Sequence, residues 1–126
     1  MPRTIRKRIL IVDDEAMITQ ILSKRLDASG YDTFTAYDGE QCLNMTQEIK
    51  PELILLDIIM PHGDGIETFK KLKANPDTKN IPVIFVTAYD DKDTKNEISE
   101  LRPDGFFVKP FDGSKLLNRI DELIGA

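Results

Sequence analysis

The sequence is poor in the residues that build disulfide and zinc frameworks. It contains one cysteine, Cys42, and one histidine, His62, among 126 residues. A single cysteine cannot form an internal disulfide, and nothing in the cysteine usage indicates an oxidising compartment. Without a second histidine, no zinc site is predicted. The chain is nevertheless long enough to bury a sizeable core without disulfides or metals.

Long apolar runs are also missing. No stretch approaches the roughly 20 residues that a membrane-spanning helix needs. The N-terminus is basic, but no apolar core of a signal peptide precedes a small-residue cleavage site. We therefore expect a cytoplasmic protein without membrane contact.

The chain shows no low-complexity segment and no linker. We therefore expect a single domain over residues 1–126, with residues 1–7 as a basic lead-in. Because the sequence stops directly after its last predicted helix, we expect no output domain.

Acidic residues dominate the body of the protein. The net charge is −5, and all 22 acidic residues follow Arg8, whereas four of the 17 basic residues lie at or before it. A body of this sign repels the phosphates of nucleic acids. Direct binding to DNA or RNA is therefore not expected.

Predicted strands and helices alternate five times along the chain. Apolar runs predict strands at 9–12, 53–56, 82–87 and 106–108, and looser alternation predicts a strand nearer an edge at 31–36. The helices between them have apolar faces: Ile18, Ile21, Leu22 and Leu26; Cys42, Met45 and Ile49; Ile66, Phe69 and Leu72; Leu116, Leu117, Ile120, Leu123 and Ile124. This alternation predicts an α/β domain with a parallel sheet covered on both faces.

The helix predicted over 91–101 differs from the others. Its only large apolar residues are Ile98 and Leu101. With so little surface to bury, it is the helix that we expect to move most easily.

A carboxylate ends the most apolar strand of the protein. Leu53 to Leu56 show no polar alternation, which is typical of a strand buried on both faces, and Asp57 follows directly. A carboxylate in such a place is costly unless it is solvated, paired or bound to a metal. Its partners are therefore expected at the ends of the other strands.

Polar residues follow the strands at one predicted edge of the sheet, and ligand sites of such sheets lie at this edge. They are Asp13, Asp14, Asp57, Thr87 and Lys109. Three carboxylates within a few ångströms repel one another, and a hard cation such as Mg²⁺ relieves that repulsion. Together with a lysine and a hydroxyl they indicate phosphoryl chemistry with Asp57 as nucleophile. Taken alone, Asp13 and Asp14 are equally consistent with a simple cap of the following helix.

At this point the sequence resembles the receiver domains of two-component response regulators. The resemblance rests on four segments in the right order: 11–15 (Ile-Val-Asp-Asp-Glu), 53–61 with Gly65, 86–88 (Val-Thr-Ala) and 108–111 (Val-Lys-Pro-Phe). It implies a flavodoxin-like (βα)5 three-layer sandwich with strand order 2-1-3-4-5.

The resemblance also implies the reaction. Asp57 would accept a phosphoryl group from the phosphohistidine of a sensor histidine kinase or phosphotransfer protein. Mg²⁺ would be held by Asp13, Asp14, Asp57 and the backbone carbonyl of Ile59. The protein would be a signalling switch and not an enzyme, because it would catalyse only its own phosphorylation and dephosphorylation.

The remaining implied roles concern the switch. Thr87 would close on the phosphoryl oxygen, and Lys109 would pair with that oxygen. Phe106 would pack inward as Thr87 shifts. Without the resemblance, Phe106 is equally consistent with an ordinary core residue. Pro110 would follow a cis peptide bond. The surface of the fourth helix, fifth strand and fifth helix would then control an unknown downstream protein. We expect a monomer or a weak phosphorylation-dependent dimer.

The sequence leaves two alternatives to a receiver domain. A metal-dependent phosphatase with an aspartyl nucleophile would want a second carboxylate two residues after Asp57, where Ile59 stands. A flavin carrier of the same topology would need a phosphate-binding loop rich in Ser, Thr or Gly after the first strand, whereas Asp13, Asp14 and Glu15 would repel a phosphate.

Overall fold

A computed structural model describes residues 6–60, 64–88 and 91–125. Five strands and five helices alternate along the chain. The strands are β1 (Arg8–Val12), β2 (Asp32–Ala36), β3 (Leu53–Leu56), β4 (Val83–Thr87) and β5 (Gly105–Val108). The helices are α1 (Ala16–Ala28), α2 (Gly39–Ile49), α3 (Gly65–Ala74), α4 (Lys92–Leu101) and α5 (Gly113–Ile124). Residues 1–5 of the predicted basic lead-in, and residues 61–63 of the segment after Asp57, lie outside the described residues.

The strands form one parallel sheet in the order β2-β1-β3-β4-β5. The three central strands are almost wholly buried, as continuous apolar runs require in a sheet covered on both faces. The outer strands β2 and β5 are largely half-buried. The predicted flavodoxin-like topology, including the edge position of the second strand, is confirmed.

Helices cover both faces of the sheet. On one face, α1 and α5 pack on alternate residues of the central strands, such as Ile11, Leu55 and Val86. On the other face, α2, α3 and α4 pack on the residues between them, such as Leu56 and Phe85. The two-residue period of a strand thus divides each apolar run between two cores.

The predicted apolar face of α1 is wrong at one position. Leu22 and Leu26 are buried, but Ile21 is 57% exposed. One residue corresponds to about 100° of helix rotation, and the stripe that α1 buries is too narrow to include it. The sheet therefore contacts Thr19, Leu22 and Leu26 and leaves Ile21 facing outward.

The start of α1 is also unusual. Among the five described helices, four begin after an aspartate whose side chain accepts a backbone N–H: Asp38, Asp64, Asp91 and Asp112. Glu15 holds the equivalent position before α1, but its side chain makes no capping hydrogen bond. An acidic residue thus stands where a cap was predicted, without acting as one.

Helix α4 is attached as weakly as its sequence predicts. Ile98 is its one buried residue, and Leu101 is half-buried against the same core. By contrast, α5 buries Leu116, Ile120 and Ile124.

None of the helices in the described ranges is long and apolar enough to cross a membrane.

Candidate functional site

The sheet itself positions the predicted site residues. The backbone N–H of Asp57 donates to the carbonyl of Val12 (2.9 Å), and that of Asp13 donates to the carbonyl of Ala36 (3.1 Å). The backbone N–H of Lys109 donates to the carbonyl of Thr87 (2.8 Å). Each hydrogen bond extends the strand ladder by one residue. Asp13, Asp57, Thr87 and Lys109 therefore lie together where the strands end, and we call this group the carboxyl edge.

Lys109 joins the acidic side chains of the carboxyl edge. Its ammonium nitrogen Nζ lies 2.5 Å from Oδ2 of Asp13, 3.4 Å from Oδ2 of Asp57 and 3.6 Å from Oε1 of Glu15. The side chains of Lys109, Asp57 and Asp13 are only 10%, 7% and 4% exposed, whereas that of Glu15 is 60% exposed. The carboxylates of Asp13 and Asp57 thus contact the ammonium of Lys109, and all three groups are nearly buried.

The charges do not balance. Burial and the neighbouring charge of Asp13 raise the pKa of Asp57, although Lys109, a hydrogen bond with Thr87 and the Ile58 N–H (2.7 Å) act to lower it. Burial alone would lower the pKa of Lys109, but its hydrogen bond to Asp13 and the surrounding carboxylates raise it. Lys109 is therefore charged, and the single ammonium does not fully offset the acids around it.

The surplus negative charge suits a hard divalent cation. Asp13, Asp14 and Asp57 each offer a carboxylate oxygen, and these oxygens lie within 4.8 Å of one another. Asp14 is exposed, so the group opens to solvent on one side. An open set of oxygen ligands that leaves room for water is what Mg²⁺ prefers. The donor chemistry of these three residues therefore fits Mg²⁺.

The other predicted residues lie around this group. Thr87 is the last residue of β4 and is 1% exposed. Phe106 in β5 stands opposite Phe85 and is half-buried against the core beneath α4. The Lys109–Pro110 peptide bond is cis. Ile59, whose carbonyl was predicted as a metal ligand, has a side chain that is 54% exposed.

Gly65 contacts the backbone that carries Asp57, a role that the sequence reasoning missed. Its N–H donates to the carbonyl of Ile58 (2.6 Å). A Cβ at this position would overlap the Asp57 carbonyl oxygen and lie 2.7 Å from the Cα of Ile58. In the sequence, Gly65 was identified as one of the residues that carry the family resemblance. Its reason is a close approach between α3 and the end of β3, which sequence spacing does not reveal.

The contact between Glu15 and Lys109 was missed as well. Glu15 follows Asp13 and Asp14 directly, and it was expected only as one of three consecutive acids that could cap the following helix, whereas of these three Asp13 and Asp14 alone were predicted to bind the metal. Only the position of Lys109, 94 residues further on, distinguishes Glu15 from its neighbours.

Comparisons with known proteins identify the family of this chain. The family model of the response regulator receiver domain matches residues 9–121. The alkaline phosphatase synthesis transcriptional regulatory protein PhoP of Bacillus subtilis is 38% identical over 120 residues, which are 95% of this chain and 49% of PhoP. The chain spans about half the length of the first curated relatives that it matches.

Solved structures show the same fold. The Francisella response regulator 1452 receiver domain is 30% identical with a TM-score of 0.85, over 94% of this chain and 96% of that one. The chemotaxis response regulator CheY4 of Vibrio cholerae is 29% identical with a TM-score of 0.85, over 95% and 100% of the two chains. With the family match and the acidic group at the carboxyl edge, these likenesses show that the chain belongs to the response regulator receiver domains, the phosphorelay switches of two-component signal transduction.

Proposed function

We propose that Asp57 is the residue that accepts the phosphoryl group, in a reaction that depends on Mg²⁺. Receiver domains of response regulators are phosphorylated by histidine kinases, so the donor would be a phosphohistidine of a sensor kinase or of a phosphotransfer protein. The observation that supports this best is the contact of a nearly buried Asp57 with Lys109, beside two further carboxylates. With a divalent cation bound to the carboxylates, the metal and Lys109 would give Asp57 the positive surroundings that a phosphoryl group requires.

We assign the metal to Asp13, Asp14, Asp57 and the backbone carbonyl of Ile59. When bound, Mg²⁺ would offset the repulsion among the carboxylates and the charge of the incoming phosphoryl group. Receiver domains bind Mg²⁺ at an acidic pocket, and the acidic group found here has the matching ligand chemistry.

The two oxygens of Asp57 have different surroundings. Oδ1 accepts the Ile58 N–H at 2.7 Å, whereas Oδ2 faces the ammonium of Lys109 at 3.4 Å. We therefore assign Oδ2 as the nucleophile. It would form the new bond to phosphorus as the phosphorus–nitrogen bond breaks, and the histidine would keep that electron pair. Lys109 would then neutralise an oxygen of the transferred group.

Thr87 and Phe106 would transmit the change. Thr87 is buried beside Asp57, and Phe106 lies on the adjacent strand, against the core that also holds Ile98 of α4. A shift of Thr87 towards the phosphoryl group would leave space that Phe106 fills. Because α4 is attached mainly through Ile98, the surface of α4, β5 and α5 would respond.

The downstream partner would be a protein that recognises this surface. We retain the proposals that the domain does not itself bind nucleic acid, that it is a monomer or a weak phosphorylation-dependent dimer, and that it turns over no other substrate. The cytoplasmic location stays a prediction. No observation favours the phosphatase or the flavin carrier.

The test is phosphorylation of the purified protein with acetyl phosphate and Mg²⁺. Intact-mass measurement should show one added phosphoryl group, which chelation of the metal and the substitution Asp57→Asn should each abolish. Asp77→Asn, which changes an exposed acid in the turn after α3, should be labelled normally. Persistent labelling of Asp57→Asn would show that another residue is the acceptor.

A further inference from the structure

We infer that Glu15 is a positioning residue for Lys109. In this role it receives the Lys109 ammonium when a metal occupies Asp13 and Asp57. This inference rests on the proposed function and adds to it a residue outside the metal ligands.

The first observation is that Glu15 is not used by its own helix. Its backbone is fixed, because its N–H donates to Oδ1 of Asp13 (2.9 Å) and its carbonyl accepts the N–H of Thr19 (3.1 Å). Its side chain accepts none of the N–H groups of α1. The carboxylate instead lies 3.6 Å from the ammonium nitrogen of Lys109. The backbone of Glu15 is therefore held by Asp13, while its carboxylate contacts Lys109.

The second observation is that Lys109 uses the same carboxylates as the proposed metal. Its two buried partners are Asp13 and Asp57, at 2.5 and 3.4 Å. A divalent cation on those carboxylates repels an ammonium at this distance, so Lys109 has to withdraw from Asp13. A nearly buried ammonium without a partner is costly. Within the described part of the chain, Glu15 is the carboxylate that contacts Lys109 without being a proposed metal ligand.

Both effects of Glu15 act in the same direction. It offers Lys109 an alternative partner, which makes vacating Asp13 less costly, and its own charge attracts the metal. Neutralising it should therefore weaken Mg²⁺ binding. Because the pair is partly exposed, we expect Glu15→Gln to raise the Mg²⁺ dissociation constant by about two- to fivefold.

Calorimetric titration of the unphosphorylated protein with Mg²⁺ tests this without using the phosphorylation reaction. The set comprises wild type, Glu15→Gln, Glu15→Asp and Glu40→Gln. Glu40 is the exposed acid in the first turn of α2 and makes the same change of net charge away from Lys109. Glu15→Asp keeps the charge and should restore part of the affinity, and Glu40→Gln should bind as wild type does.

A double-mutant cycle separates action through Lys109 from a direct charge effect. In a Lys109→Ala background, Glu15→Gln should change the Mg²⁺ affinity by less than half as many-fold as it does in the wild type. An equal change in both backgrounds, or none in the wild type, would overturn the inference. If the wild type binds Mg²⁺ and is labelled normally, such a result leaves the proposed function standing. If it binds no Mg²⁺, the metal assignment fails and the inference fails with it.

Discussion

The two edges of the sheet use charge in opposite ways. At the carboxyl edge, Asp13 and Asp57 are nearly buried, and both contact the same nearly buried ammonium of Lys109. At the opposite edge, which we call the amino edge, the residues that precede the strands meet the last turns of α1 and α5. There the charged groups are paired locally. Arg6, for example, donates to the backbone carbonyls of Asp27 and Tyr31 and pairs with Asp32.

The amino edge also ties distant parts of the chain together. Lys7 donates to the carbonyl of Ile124 at the end of α5. Tyr31, at the start of β2, donates to Oδ1 of Asp121 in α5 at 2.5 Å. Burial and this contact with Asp121 raise the pKa of the Tyr31 phenol, which therefore stays protonated and remains a donor. These contacts join the residues before β1 and β2 to the ends of α1 and α5.

The difference shows where the protein is stable and where it is reactive. The amino edge contains matched pairs whose loss should reduce stability and leave chemistry unchanged. The carboxyl edge contains a cluster with more negative than positive charge. The unfavourable free energy of this cluster is offset by the stability of the rest of the fold. Substitutions at the two edges test this division.

The largest effect should come from a methyl group at the carboxyl edge. Gly65→Ala places a Cβ against the backbone of Asp57 and Ile58, so α3 or the end of β3 has to shift. We expect a loss of about 3 kcal/mol in the free energy of unfolding and at least about tenfold slower labelling by acetyl phosphate. Urea unfolding and intact-mass time courses measure the two quantities.

Gly30 provides the matched control at the amino edge. Its φ of +99° strains any other residue, but nothing lies within 4 Å of the added Cβ. Gly30→Ala should therefore cost about 1 kcal/mol and leave the labelling rate unchanged. If both alanine variants slowed labelling equally, the proposed division between the edges would be wrong.

An effect smaller than that of Gly65→Ala should follow from Tyr31→Phe. The substitution removes one hydrogen bond to a carboxylate and leaves Asp121 exposed to water. We expect a loss of about 1–2 kcal/mol on urea unfolding, with labelling by acetyl phosphate as in the wild type. Slower labelling in Tyr31→Phe would mean that the amino edge is coupled to the reactive site.

The smallest effect has the opposite sign. The pKa of Asp57 is raised in the folded protein, so its charged form opposes folding once the pH exceeds that pKa. Asp57→Asn should therefore raise the melting temperature of the metal-free protein at neutral pH. Acidification protonates Asp57 in the wild type, so the advantage of the variant should shrink as the pH falls towards about 4, the ordinary pKa of an aspartate.

Thermal unfolding followed by circular dichroism, with a chelator present, measures this effect. Asp77→Asn makes the same change of net charge at an exposed turn and serves as the control. Addition of Mg²⁺ should reverse the order, because the metal stabilises the wild type more than the variant. A variant that melts below the wild type at neutral pH without metal would show that the cluster is balanced after all.

Much of the site follows from elements that local patterns specify. The continuous apolar run Leu53–Leu56 is typical of a strand buried on both faces, and Asp57 comes directly after it. Parallel strands bring Asp13, Thr87 and Lys109 to the same edge, so their meeting was predictable. The weak attachment of α4 was predictable too, because Ile98 and Leu101 are its only large apolar residues.

Other features depend on distances in space between residues, which their spacing along the sequence does not reveal. Ile21 belongs to a plausible helical stripe, yet only the packing of α1 against the sheet decides which residues of that stripe are covered. Gly65 is a plausible turn residue until the backbone of Asp57 is found against it. Glu15 is a plausible cap until Lys109 is placed beside it.

The amino-acid sequence by itself determined the order of the elements, the family and the identity of the clustered groups, because hydrophobic period and strand ends are local properties. The tertiary structure alone decided the balance of charge among them. Whether Lys109 neutralises Asp57, Asp13 or Glu15 depends on ångström distances and on burial. The energies of charged pairs vary steeply with both.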